Sequence, residues 1–377
     1  MNRSGAWLSG SAVTRLLEVE AEGRASQDGR RRKSLQQEFK QALESLERGP
    51  GSKDVDALFL SPDPTVKSLC QDPGKGGWFR RNVAPGLDIA FPTVHGTHGE
   101  DGTLQGLFEL ADLPYVGPGV AASAAGMDKI LSKLIFRGAG LPTLPATWFT
   151  RRQWLAGDSA MTAKVESSLT YPVVVKPAVA GSSVGIARAG SAQELKRGVG
   201  QAIQFSDRVL VERAVDDRIE VQCAVLGNHD LEVSLCEELV QAAGIVSFED
   251  KYLRRAERQE EADLAPSLIP ARIPDELARR VRELATGAFQ ALDARGISRV
   301  DVLVERSSMQ PFVNEVNTLP GSLCLRLWEA SGVPPAKLVR RLLELAEEAH
   351  GEKAATRFES QEGKDLVDRK HLMAPGK

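Results

Sequence analysis

The chain has 377 residues, long enough for two or three domains, and its 42% hydrophobic and 26% charged residues are ordinary for a soluble globular protein. The formal net charge of −3 argues against a general nucleic-acid binder. No apolar run reaches the roughly 18 residues of a membrane span, and Met1–Gly10 lacks the apolar core of a signal peptide.

The four cysteines are scattered and form no CxxC pair. This pattern argues against a zinc site and for reduced thiols in a cytoplasmic protein. They are Cys70, Cys223, Cys236 and Cys324. Because Cys223 and Cys236 lie in apolar, strand-like runs, we expect both to be core residues.

The first half of the chain begins with an unusually polar segment. Residues 16–47 are rich in Glu, Arg, Lys and Gln, which predicts one or two solvated helices or partial disorder. After this segment, hydrophobic runs and glycine turns predict strands at 55–60 and 87–94 and helices at 102–110 and 121–138.

From about residue 140, short β-rich runs alternate with helical patterns. The predicted strands are 171–176, 209–215, 220–226, 231–235, 297–305 and 311–316. The predicted helices are 191–204, 274–292 and 334–349. Because the alternation lacks one long parallel-sheet pattern, we predict an α+β or mixed α/β enzyme with a domain boundary near 125–135.

Acidic and amide side chains alternate along the last two predicted strands. Arg299 and Asp301 are two residues apart, and so are Glu315 and Asn317, so each pair shares one face of its strand. If the strands pair as a hairpin, the carboxylates and the amide converge as an oxygen set suited to magnesium. The alternative is a polar sheet face in solvent, although acids between buried runs need a partner.

The segment VVVKPAVAGSSVG joins a buried strand, a lysine and a loop of small residues. Backbone N–H groups of such a loop can approach phosphate oxygens, and Lys176 supplies a point charge. The loop contains Ser182 and Ser183, and it is not a Walker loop, because GxxxxGK[ST] is absent. Lys129 could point at the same phosphates from a helix. The alternatives are a flexible turn and two solvated lysines.

Two further segments could contact ligands. Glu212 and Glu220 lie at strand ends, where an acid can accept from an adenine amino group or a ribose hydroxyl; the alternative for both is an ordinary surface acid. Glycines crowd the run HGTHGEDGTLQG, and a helix beginning after Gly102 would offer an anion-friendly N-terminus. His95, the first residue of this run, could bind a substrate carboxylate or be a structural histidine.

Together, seven segments between Leu87 and Ala349 resemble the D-alanine–D-alanine ligases in order and approximate spacing. They are HGTHGEDGTLQG, MDK, YPVVVKPAVAGSSVG, VLVER, EDKYL, GISRVDVLV and FVNEVNTLPGS. Each motif alone is weak, whereas the ordered set is specific. The resemblance implies an ATP-grasp fold with an N-terminal α/β substrate domain. It also implies an ATP-dependent ligase that joins two D-alanines through an acylphosphate, giving D-alanyl-D-alanine for peptidoglycan precursor synthesis.

The resemblance also implies a division of the chain. It consists of a divergent N-terminal extension (1–50), an N-terminal α/β domain (51–128), an ATP-grasp domain (129–350) and a loose C-terminal tail (351–377). The implied ligands are ATP, D-alanine and Mg²⁺, with Mn²⁺ as the alternative ion. A homodimer and a cytoplasmic location follow from the same resemblance, without nucleic acid or a membrane span.

Motif by motif, the resemblance implies a role for each candidate residue. The metal ligands are Asp301, Glu315 and Asn317. The ATP-binding residues are Lys129, Lys176, Ser183, Glu212, Arg213, Val215, Glu220 and Lys251, the last in a loop that closes over the site. The catalytic residues are Ser182, Tyr252, Arg299 and Gly321, of which Arg299 and the backbone N–H of Gly321 form the oxyanion site. The amino-acid pocket contains His95, Glu100 and Ser322.

Two departures from the family pattern touch the amino-acid site. The N-terminal Gly-Gly-x-Ser-x-Glu-type turn, whose glutamate holds the amine of the first amino acid, is absent; Glu18 and Glu20 are the candidate substitutes. The segment after Gly321 is shorter than the family's and lacks the serine near the second substrate's carboxylate, a role for which Ser322 and Arg326 are candidates.

Three functions therefore compete. The first is the D-alanine–D-alanine ligase itself. The second is a related ATP-grasp ligase that takes another amino or hydroxy acid, such as D-serine or D-lactate. The third is a non-catalytic nucleotide-binding paralogue, against which the intact metal set argues, because a scaffold need not keep converging magnesium ligands.

Overall fold

The computed structural model describes residues 7–9, 56–66, 68–71, 81–82, 86–181, 184–240 and 267–356. The chain forms two compact units, Met1–Leu113 and Pro114–Lys377. The described elements combine helices with antiparallel sheets, so the predicted α+β class is confirmed. No described helix combines the length and the apolar character that a membrane crossing requires.

The first unit contains an antiparallel sheet in chain order and one described helix. Its strands are β1 (Trp7–Ser9), β2 (Asp56–Leu60), β3 (Leu69–Gln71) and β4 (Arg81–Asn82). Helix α1 (Thr103–Leu110) follows Gly102, whose φ of 89° suits a residue without a Cβ. The predicted strand at 87–94 is wrong: residues 86–95 form no strand, and Pro92 has no N–H to donate to a ladder.

Two short helices replace the single helix predicted over 121–138. Helix α2 (Val120–Met127) ends at Asp128, and α3 (Lys129–Gly138) begins directly after it. The Asp128 backbone is extended (φ −90°, ψ 105°), and its Oδ1 accepts from the N–H groups of Ile130 and Leu131. An N-cap of this kind favours a new helix start, and here it breaks the predicted helix.

A small antiparallel sheet in the second unit has the order β5-β8-β6-β7. Its strands are β5 (Ala146–Thr150), β6 (Val173–Pro177), β7 (Ala187–Ala189) and β8 (Arg208–Arg213). Helices α4 (Arg151–Ala156), α5 (Asp158–Ser168) and α6 (Ala192–Ala202) lie in the same stretch of chain. Their apolar residues pack on the sheet, and Phe149 stacks on Trp154 with ring centroids 5.4 Å apart.

A larger sheet follows the order β12-β11-β9-β13-β14, with β10 paired to β9. Its strands are β9 (Arg218–Gly227), β10 (Glu232–Val233), β11 (Glu237–Leu239), β12 (Ser267–Leu268), β13 (Gly296–Glu305) and β14 (Gln310–Asn317). The helices of this part are α7 (Asp275–Ala291), α8 (Leu325–Ala330) and α9 (Pro335–Ala354). Helix α7 buries Leu277, Val281 and Leu284, at helical spacing, in the core beside this sheet.

Candidate functional site

The candidate site lies on one face of the β13–β14 pair. Asp301 is opposite Glu315, and Arg299 is opposite Asn317. Along β13 the side chains alternate, with Val300, Val302 and Val304 buried in the core and the residues between them only half-buried. The predicted pairing of these two strands is therefore confirmed, and the four polar side chains share the face away from the core.

A β-bulge interrupts the pairing at this point. The register shifts between Asp301 and Val302, so that Val302 pairs with Val313 while Asp301 pairs with Glu315. Asn314 is the extra residue, and Val313 and Val316 are both buried in the core although they are three apart. The bulge thus brings Asn314 to the face that carries Glu315, as bulges beside functional sites commonly do.

Asp301 is tied to its neighbours on this face. Arg299 donates to it through Nε (2.7 Å) and Nη2 (2.9 Å), and Asn317 Nδ2 donates at 3.2 Å. Burial raises the pKa of Asp301, an effect that the Arg299 guanidinium opposes. The same carboxylate raises the pKa of Arg299 against the effect of burial. The pair is therefore a charge-assisted, bidentate contact in a partly dry setting.

The oxygen donors of this face suit a hard divalent cation. Two carboxylates and an amide fit magnesium, which prefers oxygen ligands and keeps several waters. Among the described residues, no group of three or more His, Cys, Asp or Glu side chains is arranged to hold a metal. The candidate set therefore depends on Asn317 in addition to Asp301 and Glu315.

Lys129 reaches the same face from the start of α3. Its Nζ lies 3.7 Å from Glu315 Oε2 and donates to the carbonyl of Ala180 at 2.6 Å. Its backbone N–H donates to Ala178 O at 2.9 Å. Lys129 is therefore fixed between the segment after β6 and the β13–β14 face, and the alternative of a solvated helical lysine is wrong.

Lys176 reaches the face from β6. Its Nζ lies 2.5 Å from Glu212 Oε1 and donates to Asn314 Oδ1 at 3.1 Å. Burial lowers the pKa of Lys176, but the charges of Glu212 and Glu315 outweigh this effect and the net shift is upward. The lysine therefore stays protonated, and it is a buried residue rather than the surface lysine of the alternative.

Glu212 lies between two lysines. Its side chain is only 2% exposed, with Oε2 3.0 Å from Lys133 Nζ in addition to the Lys176 contact. Although burial raises the pKa of Glu212, the charges of Lys133 and Lys176 lower it to about 2. Burial lowers the pKa of Lys133, and Glu212 partly restores it. Glu212 is not a surface acid, and its predicted contact with adenine or ribose stays a prediction.

The other predicted nucleotide residues lie near the same end of the small sheet. Arg213 Nη1 contacts Glu305 Oε1 at 2.6 Å, and its guanidinium carbon is 5.4 Å from the Phe312 ring centroid. Val215 is buried and accepts from Arg218 Nη1 through its carbonyl. Glu220 is half-buried and pairs with Arg218 Nε at 2.8 Å. Arg213 therefore connects the two sheets of this unit.

Two residues that the sequence predicted to bind the amino-acid substrate lie in the turn before α1. Glu100 Oε2 accepts from the backbone N–H of Gly96 at 2.5 Å, and His95 is exposed. The glutamate closes its own turn, and the substrate roles of both residues stay predictions. Ser182, Ser183, Lys251 and Tyr252 lie outside the described residues.

The segment after β14 has an uncommon backbone. Gly321–Cys324 form a single 3₁₀ turn, in which Ser322, Leu323 and Cys324 have φ of 51°, 51° and 53°. Three consecutive non-glycine residues in the left-handed region are costly, on the order of 1–2 kcal/mol each. Gly321 and Ser322 are exposed. The strain coincides with the segment that is shorter than the family pattern.

Two family models match most of this chain. The family model of the D-ala D-ala ligase C-terminus matches residues 135–344, and that of the D-ala D-ala ligase N-terminus matches residues 1–118. The chain is 41% identical over 264 residues to the D-alanine–D-alanine ligase of Acetivibrio thermocellus, covering 69% of this chain and 68% of that protein. It is 39% identical over 300 residues to that of Heliobacterium modesticaldum, covering 78% of each.

The chain belongs to the D-alanine–D-alanine ligase family. Among solved structures it is similar to the VanG D-Ala:D-Ser ligase from Enterococcus faecalis, with a TM-score of 0.67, 31% identity and coverage of 82% of this chain and 84% of that one. The D-alanine–D-alanine ligase from Coxiella burnetii has a TM-score of 0.66 and 26% identity, with coverage of 91% and 84%.

Membership in the D-alanine–D-alanine ligase family makes this protein an ATP-dependent ligase of the ATP-grasp fold that acts on small molecules and uses a divalent metal. The N-terminal family model also spans residues 1–50, the segment that the sequence suggested to be an extension. The predicted domain boundaries stay predictions.

Two residues that contact the candidate site were missed by the sequence analysis. Lys133 lies four residues after Lys129 on α3, a spacing that puts both on one helix face. That spacing was a usable signal. Asn314 directly precedes Glu315, and regular strand alternation predicts it on the opposite face. No sequence feature predicts the β-bulge, which places Asn314 on the same face as Glu315.

Proposed function

We propose that the protein joins two D-alanines, with ATP converted to ADP and phosphate, to give D-alanyl-D-alanine. The observation that carries the proposal is the convergence on one sheet face of Asp301 and Glu315 with the ammonium groups of Lys129 and Lys176. Two acids that can hold a divalent cation, beside two lysines, form a site suited to a nucleotide's phosphates.

The positive charge of the lysines and the metal is needed for activation of the substrate carboxylate. A carboxylate oxygen of the first D-alanine attacks the γ-phosphorus, the bond to ADP breaks, and an acylphosphate forms. We assign to Lys129 and Lys176 the neutralisation of the oxygens of the transferred group, which is the main task in phosphoryl transfer. Their contacts with Glu315 and Asn314 on the same sheet face support this assignment. The amine of the second D-alanine then attacks the acyl carbon, phosphate leaves, and the amine proton passes to solvent.

We assign the metal to Asp301, Glu315 and Asn317, with Mg²⁺ as the ion and Mn²⁺ as the alternative. The hard oxygen donors support this assignment. Such an ion supplies charge neutralisation to the phosphates when it is bound. On the chain itself, Asp301 is oriented by Arg299, and Glu315 is oriented towards Lys129.

We further assign the oxyanion site to Arg299 and the backbone N–H of Gly321. Each such donor is worth roughly 3–4 kcal/mol of transition-state stabilisation. Ser182 and Tyr252 are the other proposed catalytic residues. Glu212, Arg213, Val215, Glu220, Ser183 and Lys251 are proposed for the nucleotide, and His95, Glu100 and Ser322 for the amino acids. The family motifs support these assignments.

One observation favours a second candidate function, in which the second substrate is another amino or hydroxy acid. The strained turn of Ser322, Leu323 and Cys324 lies where the family's second-substrate serine is missing. The VanG protein, named a D-Ala:D-Ser ligase, is among the similar structures. Supply of peptidoglycan precursor, a cytoplasmic location and a homodimer complete the proposal and follow from the family resemblance.

Phosphate release from Mg-ATP, measured with single and paired amino acids and followed by mass spectrometry of the products, tests these functions. Release that depends on D-alanine and yields D-Ala-D-Ala supports the first. Release that needs D-serine, D-lactate or another acceptor supports the second. Nucleotide binding without release for any pair contradicts both, and indicates a non-catalytic nucleotide-binding protein.

A further inference from the structure

A buried carboxylate lies at the break between helices α2 and α3. Asp128 is 4% exposed, and both of its carboxylate oxygens have hydrogen-bond partners. Oδ1 accepts from the N–H groups of Ile130 at 3.0 Å and Leu131 at 3.1 Å, and Oδ2 accepts from Nη2 of Arg208. One carboxylate thus caps α3 and pairs with a guanidinium at the same time.

Arg208, the cation of this pair, belongs to a different element. It is the first residue of β8, and its side chain is 28% exposed. Its carbonyl accepts from the N–H of Ala178 at 3.0 Å, and the carbonyl of Ala178 accepts from the N–H of Lys129 at 2.9 Å. Asp128 also forms an antiparallel bridge with Val179. Backbone and side-chain contacts therefore connect the start of α3 to β8 and to the segment after β6.

Lys129 is the residue whose position depends on this connection. It directly follows Asp128, and its Nζ donates to the carbonyl of Ala180 at 2.6 Å and lies 3.7 Å from Glu315 Oε2. A lysine carries its charge on a flexible four-carbon chain, so the reach of its ammonium group depends on where its backbone is fixed. The Asp128–Arg208 pair fixes that backbone one residue away.

Loss of the Arg208 charge would disturb this arrangement. Asp128 would lose the guanidinium that pairs with it, and removal of one partner from a buried ion pair is strongly destabilising. The carboxylate would relieve this cost by turning towards solvent or by taking up a proton. Either change weakens the cap of α3, and Lys129, as the first residue of that helix, would shift with it.

We propose that Arg208 is a positioning residue of the phosphate site: it holds Asp128, and through Asp128 it directs Lys129 towards the phosphates of ATP. The inference rests on the proposed function in taking ATP as the ligand and Lys129 as a phosphate contact. Arg208 itself does not touch the nucleotide in this arrangement. The family motifs in the sequence imply no role for this residue.

The test is a double-variant cycle on the full chain, read as the dissociation constant of Mg-ATP by calorimetry together with the melting temperature. The variants are Arg208→Met, Lys129→Met and the two combined, because methionine keeps an unbranched side chain and removes the charge. Arg208→Lys is the conservative variant, which keeps a cation for Asp128. Arg279→Met, which removes an arginine from exposed ion pairs on α7, is the matched control.

We expect Arg208→Met to weaken Mg-ATP binding about tenfold, the effect of roughly 1.4 kcal/mol, and Arg208→Lys to stay within about threefold of the wild type. In the Lys129→Met background, Arg208→Met should change the affinity by less than about twofold, because the residue through which it acts is already gone. Arg279→Met should bind as the wild type does. A purely structural Arg208 would lower the affinity by the same factor in both backgrounds.

Asp128→Asn is a second probe, which keeps the inference testable if Arg208→Met does not fold. Asparagine caps helices about as well as aspartate, so this variant keeps the cap of α3 and removes the charge that pairs with Arg208. Its affinity for Mg-ATP should fall about as far as that of Arg208→Met. Wild-type affinity in Asp128→Asn would show that the ion pair does not position Lys129, and would overturn the inference.

Two further results would overturn it. One is wild-type affinity in Arg208→Met while Lys129→Met binds weakly. The other is the full tenfold loss from Arg208→Met in the Lys129→Met background, which would mean that Arg208 acts on the nucleotide independently of Lys129. Unchanged affinity in Lys129→Met would contradict the proposed phosphate contact, and this inference would fail with it. A wild type that binds Mg-ATP but forms no peptide contradicts the proposed ligation alone.

Discussion

Glu212 is a residue whose ionisation depends strongly on folding. Its pKa is lowered from 4.5 to about 2 in the folded protein, because the charges of Lys133 and Lys176 outweigh the effect of burial. A group with a depressed pKa stabilises the fold above its unfolded pKa, and this contribution is lost as the pH falls through the folded value. The free energy of unfolding should therefore decrease at acidic pH in part because this carboxylate becomes protonated.

The prediction compares the wild type with Glu212→Gln by urea unfolding between pH 7 and pH 3. The wild-type advantage should be about 3 kcal/mol at pH 7, the equivalent of the pKa shift. It should shrink as the pH falls from 4.5 towards 2. Glu194→Gln, at the partly exposed ion pair with Arg197, is the matched control. An advantage that grows as the pH falls would contradict the assignment.

Asp301 is the residue on which the proposed metal site depends most. Asp301→Asn should lower phosphate release by at least about 100-fold, the upper end of the cost of an outer-shell partner. The loss should be partly recovered at high Mg²⁺ concentration, because binding of the ion is what weakens. Asp216→Asn, at the exposed pair with Arg188, is the control and should keep its activity. Unchanged activity in Asp301→Asn would exclude Asp301 as a ligand.

At the scale of elements, the β13–β14 hairpin carries most of the site, and its bulge makes a sharp prediction. Regular alternation from Val313 would place Glu315 in the core and Val316 on the site face. Deletion of Asn314 restores regular alternation with Glu315 and Asn317 on the site face and Val316 in the core. The deletion should therefore be tolerated, although strand deletions usually are not.

We expect the Asn314 deletion to fold, with a melting temperature within a few degrees of the wild type, a change of about 1 kcal/mol. Binding of Mg-ATP should weaken, because Lys176 loses its contact with Asn314 Oδ1. Deletion of Leu303, in the regular part of β13, should lower the melting temperature much further, because Val304, which is buried in the core, and Glu305 would exchange faces. Circular dichroism and calorimetry check both. If the two deletion variants are equally destabilised, Asn314 is not an extra residue that the strand can lose without a change in its pairing.

The elements also show what a sequence can predict. Strand β13 and helix α7 follow their hydrophobic patterns, since their burial is periodic. Strand β9 follows an apolar run and is buried continuously from Val221 to Gly227, and β14 lies at its predicted position with one break in its alternation. The strand at 87–94 and the unbroken helix at 121–138 were wrong. Local chemistry at Pro92 and Asp128 prevailed over the apolar pattern there.

The candidate site divides in the same way. Residues that share a face through alternation within one strand, Arg299 with Asp301 and Glu315 with Asn317, can be found from the sequence. Contacts across elements cannot. Lys133 meets Glu212 only because α3 packs against the small sheet, and Arg213 meets Glu305 only because the two sheets approach. Tertiary packing of this kind leaves no spacing rule in the chain.

At the scale of the whole molecule, the described nucleotide and metal candidates all lie in the unit that begins at Pro114. A fragment of residues 114–356 should therefore fold and bind Mg-ATP with nearly the affinity of the full chain. It should not ligate amino acids, because it lacks His95 and Glu100. Failure of the folded fragment to bind the nucleotide would show that the first unit contributes to that site.

A fragment of residues 129–350 tests the boundary that the sequence suggested. It lacks α2, whose Ala122 is buried in the core of the large sheet, and it lacks the Asp128 cap of α3. We expect its free energy of unfolding to be roughly 2 kcal/mol lower than that of the 114–356 fragment. Equal stability of the two would favour the later boundary.

The reactivity of the four cysteines can report local unfolding of this protein. Cys70, Cys223 and Cys236 are buried, the last two with sulfur atoms 3.3 Å apart, and burial raises the pKa of Cys324 to about 12. A thiol reagent should therefore react slowly with the native protein and quickly with the unfolded chain. The cysteines report on three regions, because Cys223 and Cys236 lie together in one core. Mass-resolved labelling rates would therefore rank how often each of these regions opens. If Mg-ATP slows the labelling of Cys324, the labelling rate would measure ligand binding without an attached fluorophore or other probe.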